Sequence, residues 1–448
     1  MDLLPVSIAV ALLLAVVFLI YVVLLVDRFV RYQAHEPADP AAFEWHFVIP
    51  ALNEQAVIGS TLDYLTGTFP AAFVWVVDDG SDDATADIVT ERARGRDRVR
   101  LLRRTLPNAR TGKGDALNHV YQHIAAAVPA ERHDRTVLIV VDADGVPSAN
   151  VLEICAGPRL FGTPEIAAVQ VEVQMVNRDV RLPVPEGGRF ANFWARTLVR
   201  VQDVEFRGPI SAMQMLRRHT GTTNVGGNGQ LVRLSALDSI AGDRGEPWGK
   251  ALLEDYEIGL RLMLAGWRNA YTVDAWVEQE GLYSLSLLTA QRTRWAQGSM
   301  QCLPYLRQVW KSPHFSNAGM TEVTYYLLQP WLQVAGSLVY PVPILYFLQN
   351  SSLYSDFIRE YMAFGGVLMG TLYLAVGLGE FVIWGFLYRT HSEHRTSAWR
   401  ALGWGLSLVA YNLLIYVIAW RALIRLVGGR SEWSKTLRNT EASGSGGR

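Results

Sequence analysis

The chain has 448 residues, 50% of them hydrophobic, and a formal net charge of −1, so it can form a folded core plus a membrane part and lacks the basic field that nucleic acid demands. Its two cysteines, Cys155 and Cys302, exclude a disulfide framework and fit a reducing compartment.

Leu3 to Val26 contains no charged residue. A helix of about 20 apolar residues crosses a bilayer, which predicts a transmembrane helix within 1–33. Arg28 and Arg31 follow the apolar run, unlike the order in a signal peptide, and put the next segment in the cytoplasm. Charges then spread through 34–283, where short apolar runs alternate with helical patterns. "WHFVIPALNE" predicts a strand from His46 to Ile49, stopped by Pro50, and a helix starting near Glu54. "FVWVVDDGSDDATADIV" repeats the plan, with a strand from Phe73 to Val77 and a helix capped by Asp82 or Asp83. "GKGDALNHVYQHIAAAV" is a glycine-flanked turn into a third helix.

"TVLIVVDADG" reads as a buried parallel strand that stops on two acids, Asp142 and Asp144. Strand, helix, strand, helix, strand predicts an α/β domain with a doubly wound, mostly parallel sheet, whose ligands bind outside the carboxyl ends of the strands. Asp78, Asp79, Asp142 and Asp144 all fall at such ends. Acids converging on one crevice repel one another unless a cation sits among them, and a divalent metal on a diphosphate meets that need. An ordinary Asx turn explains Asp142 and Asp144 without a ligand, and at this point both readings stand.

"GTTNVGGNGQLVR" places Gly226, Gly227 and Gly229 ahead of a short strand, where a backbone can approach a ligand closely or simply turn. "LLEDYEIGLRLMLAGWR" is an amphipathic helix with Glu254 and Asp255 in its first turn, favoured there by the helix dipole or present as a general base. "QRTRWAQGSMQ" offers Gln291, Arg292, Arg294 and Trp295 on an amphipathic stretch within 284–320, suited either to lipid headgroups or to a phosphate and a stacking sugar. Tyr325 to Ser355, Tyr361 to Tyr388 and Ala401 to Trp420 predict three spans within 321–427, with Glu380 the one charge in the second. Three spans would leave the tail, 428–448, outside, whereas Arg421, Arg425, Arg430, Lys435 and Arg438 mark an inside tail. A broken first segment with Pro330, Pro341 and Pro343 reconciles the two, and the topology stays open.

"VIPALNE", "VVDDGSDDATADIV", "GKGDALN", "VVDAD", "QDVEF", "GGNGQLVR", "LLEDYEIGLRL" and "QRTRW" occur here in the order seen in membrane-integrated family 2 glycosyltransferases, the group of the cellulose, hyaluronan, chitin-oligosaccharide and poly-N-acetylglucosamine synthases. The chain resembles that family from about Phe47 to Gln301. The resemblance implies a GT-A-type nucleotide-sugar transferase fold with flanking transmembrane and interfacial helices. It implies that Asn53, Glu54, Asp78 and Asp79 hold the nucleoside, with Lys113 nearby, and that Asp142 and Asp144 bind Mg²⁺ or Mn²⁺ on the diphosphate of a UDP-sugar. Asp255 is implied as catalytic base with Glu254 beside it, Arg294 and Gln291 as donor-site residues, and Gly226, Gly227, Asn228, Gly229 and Trp295 as the acceptor site.

The expected activity is therefore inverting β-transfer from UDP-N-acetylglucosamine or UDP-glucose to a growing polysaccharide, by a multi-pass plasma-membrane enzyme with a cytoplasmic catalytic domain. Transfer of one or a few sugars to a lipid acceptor is the alternative. Few spans imply that a channel needs a homo-oligomer or an accessory subunit, with Glu380 on its path.

Overall fold

The uncharged runs pair into one sheet in the computed structural model, which describes residues 3–339, 371, 374–391, 396–430 and 439. Its strands are β1 (Glu44–Ala51), β2 (Phe73–Asp78), β3 (Val99–Arg103), β4 (Thr136–Val140), β5 (Val146–Pro147), β6 (Ile166–Met175), β7 (Gln230–Arg233) and β8 (Arg268–Gln279). They lie in the order β3-β2-β1-β4-β7-β6-β8-β5. β3, β2, β1 and β4 are mutually parallel and β6 runs parallel to β8, whereas β7 is antiparallel to both β4 and β6. The expected parallel sheet thus holds for its first half, and the direction changes at β4, beside the acids that end it.

Pro50 lies inside β1 rather than ending it. The β4 partner has run out by Val48, so at Pro50 the strand is paired only with β2, where a missing N–H is tolerated. The helix expected near Glu54 starts four residues later, because the Glu54 carbonyl first takes the N–H groups of Val57 and Ile58 in a turn.

The helices are α1 (Leu3–Val30), α2 (Ile58–Thr68), α3 (Thr85–Ala93), α4 (Lys113–Ala127), α5 (Val151–Cys155), α6 (Arg189–Glu205), α7 (Ser211–Thr220), α8 (Leu234–Ala241), α9 (Glu254–Leu264), α10 (Leu285–Gln301), α11 (Leu306–Val309), α12 (Asn317–Val339), α13 (Glu380–His391), α14 (Ala398–Asn412) and α15 (Leu414–Val427). α2, α3 and α5 cover one face of the sheet through Ile58, Leu62, Leu65, Val89 and Ile154, and α4, α8 and α9 cover the other through Leu117, Val120, Ile124, Leu237 and Ile258. Outside these layers, α1, α6, α7, α13 and α14 share a third apolar cluster containing Leu25, Phe29, Val204, Met215 and Trp384.

Among the described residues one helical stretch, Ala398–Val427, is long and apolar enough to cross a membrane. The expected segment from Tyr325 enters α12, which runs through Pro330 unbroken, and its remainder at 340–355 lies outside the described residues, as do 361–370, 372 and 373 of the next expected segment. The described residues therefore do not support a multi-pass arrangement. They do bear on the tail. Arg425 Nε donates to Gln297 Oε1 at 2.9 Å, Gln297 Nε2 donates to the Arg430 carbonyl at 2.6 Å, and Asn439 Nδ2 donates to the Gly281 carbonyl at 2.9 Å. Beyond α15, Arg430 thus contacts α10 and Asn439 contacts the segment after β8.

Gly229 locks the centre of the sheet. Its N–H bonds the Val140 carbonyl, its carbonyl takes the Val171 N–H, and its φ is 72°. An added Cβ would lie 2.6 Å from Val277 Cγ1 and 2.8 Å from Val171 Cγ2. Gly229→Ala is expected to lower stability by about 1–3 kcal/mol through this overpacking and the left-handed backbone, measured by chemical unfolding of the purified protein.

Candidate functional site

The ends of β1, β2 and β4 deliver the predicted acids, but not to one place. Asp78 is fully buried: its Oδ1 accepts the Ser81 N–H at 3.0 Å and its Oδ2 lies 3.2 Å from Arg103 Nε. Asn53, at φ 56°, accepts the Asp82 N–H on Oδ1 at 3.0 Å and donates its own N–H to Ser81 Oγ at 2.9 Å. Both residues tie the β1 and β2 turns together and lie outside the cleft lining, so their geometry is that of loop supports. Asp79 and Glu54 do line the cleft. Burial raises the Asp79 carboxyl, opposed by the Arg110 N–H and by the Arg104 guanidinium at 2.5 Å.

Asp142, Asp144, Glu254, Asp255, Lys113, Arg294, Gln291, Trp295, Gly226, Gly227 and Asn228 line the same cleft, of about 680 Å³. Lys113, the first residue of α4, sends Nζ to Asp142 Oδ1 and to the Gly227 carbonyl, both at 2.7 Å. Burial alone would lower this amine, but the charges of Asp142, Glu254 and Asp255 outweigh that and hold it raised. α9 opens on Glu254 and Asp255, and the Tyr256 N–H donates to Asp255 Oδ1 at 2.7 Å. Burial raises both carboxyls; Asp255 further raises Glu254, while Lys113 draws each of them down. Arg294 is lowered by burial and supported by Glu254, Asp142 and Asp255.

The glycine loop is placed by neighbours that sequence patterning did not single out. Gln170 on β6 accepts the Gly226 N–H at 2.7 Å and donates to the Asn228 carbonyl at 2.9 Å. Asn228 Oδ1 in turn accepts the Asp142 N–H at 3.2 Å. A Cβ on Gly227 would stand 3.2 Å from both Asp255 Oδ2 and Lys113 Nζ, so the backbone there lies against the charged centre. Gly229 sits behind the loop in the sheet instead of lining the cleft. The signal for Gln170 was present: a polar residue inside a strand whose other positions are almost all buried.

Asp142 and Asp144 fit a divalent cation. They sit one residue apart at the strand end with the Asp142 side chain 40% exposed to the cleft, and Mg²⁺ is commonly held by one or two carboxylates plus substrate phosphates. No cluster of three or more ligating side chains occurs among the described residues, so the phosphates would have to complete the shell.

From this charged end the cleft continues along apolar walls. Phe18, Tyr21, Val22 and Leu25 of α1, Pro209 and Met213 beside α7, and Ile415 and Ile418 of α15 line its other end. At the junction, Arg292 Nη2 meets Glu205 Oε2 at 2.7 Å, Tyr411 Oη donates to the same oxygen at 2.9 Å, and the guanidinium lies 4.2 Å from the centre of a Trp295 ring. Arg292 is thus committed to a buried pair, which weighs against the headgroup reading of this arginine.

Residues 43–298 match the family described as "Glycosyltransferase like family 2". The chain belongs to this family. It is 31% identical over 261 residues to the beta-monoglucosyldiacylglycerol synthase of Trichormus variabilis, a match covering 57% of this chain and 48% of that protein. A protein of the same name from Synechocystis is 27% identical over 407 residues, covering 87% of this chain and 74% of the relative. The chain therefore spans about half the length of the first relative and about three quarters of the second. Among solved structures, the mannosyltransferase PcManGT from Pyrobaculum calidifontis, in complex with GDP-Man and Mn²⁺, superposes with a TM-score of 0.55 at 15% identity, over 95% of this chain and 98% of that one. That likeness establishes the expected GT-A-like fold, and family membership establishes a glycosyltransferase.

Removing one partner of a buried ion pair leaves the other charge uncompensated, at a cost on the order of 3 kcal/mol. Arg292→Met is expected to destabilise the protein on that scale by orphaning Glu205, and adding Glu205→Gln is expected to restore most of the loss in the same unfolding measurement.

Proposed function

We propose that this protein is a membrane-bound inverting β-glycosyltransferase that moves a single sugar from a UDP-sugar, UDP-glucose or UDP-N-acetylglucosamine, to a hydroxyl of a lipid acceptor. One observation carries the reading: a single cleft runs from Asp142, Asp144 and Asp255 to walls of Phe18, Val22, Leu25, Ile415 and Ile418. A polysaccharide has no use for that apolar half, whereas an acyl chain does. The names of the relatives, both beta-monoglucosyldiacylglycerol synthases, support the lipid acceptor over the polymer that the family resemblance suggested.

In this reading Asp79 and Glu54 meet the nucleoside, and Lys113 and Arg294 take the diphosphate oxygens. Asp142 and Asp144 would hold Mg²⁺ or Mn²⁺, which when bound stabilises negative charge on the departing nucleoside diphosphate. Asp255 accepts the proton of the acceptor hydroxyl, and Glu254, pressed against it, keeps a second carboxyl in the same electrostatic field. Displacement from the side opposite the leaving group inverts the anomeric centre, giving a β-linked product from an α-linked donor.

Incubation with UDP-glucose or UDP-N-acetylglucosamine, Mn²⁺ and diacylglycerol is expected to release UDP and yield one glycolipid extractable into organic solvent; a sugar ladder that resists extraction would overturn the reading. Asp255→Asn is expected to lower kcat about 10²–10⁴-fold with donor binding retained, the range for loss of a general base. Because Asp255 accepts a proton only when ionised and burial raises it, the acid limb of kcat/KM should lie above the ordinary carboxylate range.

A further inference from the structure

Glu380, expected on the path of a polymer, opens α13 and lines the same cleft as the catalytic acids. It is 8% exposed, and its Oε2 is buried with no hydrogen-bond partner among the described residues. No charged group among them acts on it either. In this it differs from Asp142, Glu254 and Asp255, which share Lys113 and Arg294, and from Glu205, which has Arg292. Burying a carboxylate with no cation beside it costs far more than burying the neutral acid, so the form suited to this wall carries an O–H. The chain directly before it, Ala375–Gly379, is widened to π spacing, an irregularity found often at functional sites.

The packing of α13 on α14 gives the depth of Glu380 in the cleft. Gly385 lies against the Ala401 carbonyl and Gly405 against Val382, so the two helices run antiparallel. Continuing along both carries Glu380 to the turn of Leu408, which also lines the cleft. Tyr411, whose hydroxyl meets Glu205 at the junction of the polar and apolar ends, follows in the next turn of α14. Asn412, four residues beyond Leu408 and on the same face, is a second polar side chain of the lining. Glu380 and Asn412 thus stand beside the junction, where Phe381, Trp384 and Leu408 share one apolar cluster.

A lipid acceptor with its hydroxyl at Asp255 and its chains along α1 and α15 has one further kind of polar atom to place, the atoms that link chains to backbone. In an ester that atom is a carbonyl oxygen, which accepts hydrogen bonds and donates none. Set against a dry wall it loses its water without replacement. The carboxyl O–H of Glu380 and the amide of Asn412 are donors. We propose that Glu380 and Asn412 form a donor subsite for the ester carbonyl of the lipid acceptor, which makes the enzyme prefer ester-linked to ether-linked lipids. An ether-linked lipid has no carbonyl, so it would fill the same space and leave Glu380 without a partner. The proposal rests on the lipid-acceptor reading above and deepens it.

The test compares a diacylglycerol with the dialkylglycerol of equal chain length in detergent micelles with Mn²⁺ and UDP-glucose or UDP-N-acetylglucosamine, read as kcat/KM for glycolipid formation. The unaltered protein is expected to favour the ester about 3–10-fold, the worth of one net hydrogen bond. Glu380→Leu is expected to bring the ratio close to unity, Glu380→Gln, which keeps a donor of similar shape, to preserve most of it, and Asn412→Leu to lower it in part. Each ratio is taken within one preparation, so a loss of folded protein cancels. Should Glu380→Leu form no product, the ratios of the unaltered protein and of Asn412→Leu decide in the same way. Equal use of both lipids by the unaltered protein, an undiminished ratio in Glu380→Leu, or a glutamine ratio as low as the leucine one overturns the subsite while glycolipid still forms. No glycolipid from either lipid with the unaltered protein defeats the lipid-acceptor reading itself.

Discussion

Everything at the charged end of the cleft depends on cations standing between carboxylates. Asp142, Glu254 and Asp255 come from two stretches more than a hundred residues apart, and like charges brought together at low dielectric raise one another's proton affinity. Lys113 resolves the conflict at one point by bonding Asp142 and the Gly227 carbonyl together, and Arg294 adds a second positive charge facing all three acids. On the proposed function an incoming diphosphate would bring further negative charge to the same place, where these two cations already stand.

That arrangement can be so tight only because backbone replaces side chains around it. Gly227 leaves room for Asp255 and Lys113, and Gly114 brings α4 close enough to the 248–250 segment that a Cβ would stand 2.6 Å from the Gly249 carbonyl. Gln170 satisfies two main-chain groups of the glycine loop from a buried strand position, which fixes the loop without adding charge. Neutral hydrogen bonds from Gln170 thus hold the loop at Gly226 and Asn228, and the Lys113 amine holds it at Gly227.

The parallel half of the sheet and the acids ending its strands were legible because buried parallel strands are unbroken apolar runs with chemistry concentrated at their carboxyl ends. The division of labour among those acids was not. Asp78 and Asp79 are neighbours in one motif, yet alternation along a strand sends one carboxyl to Arg103 behind the turn and the other to the cleft, and no sequence spacing says which. Arg292 and Arg294 posed the same problem on a helix. Only the position of Glu205, 87 residues earlier, makes Arg292 structural and leaves Arg294 facing the acids. The antiparallel strand β7 was equally hidden, since its direction is set by a loop whose glycines fit a hairpin as well as a binding site.

The junction between the polar and apolar ends of the cleft limits what the acceptor can be. A wholly polar acceptor filling the cleft would set its own hydroxyls against Val22, Leu25 and Ile418, although Gln329, Gln333 and Glu380 belong to the same lining. A wholly apolar one would have to displace water from Asp142 and Asp255. On the proposed function the occupant that suits both environments is an amphiphile, which would place its hydroxyl at Asp255 and its chains along α1 and α15. The Glu205–Arg292–Tyr411 group at that boundary pairs its charges internally, while Arg292 Nε stays buried without a hydrogen-bond partner among the described residues.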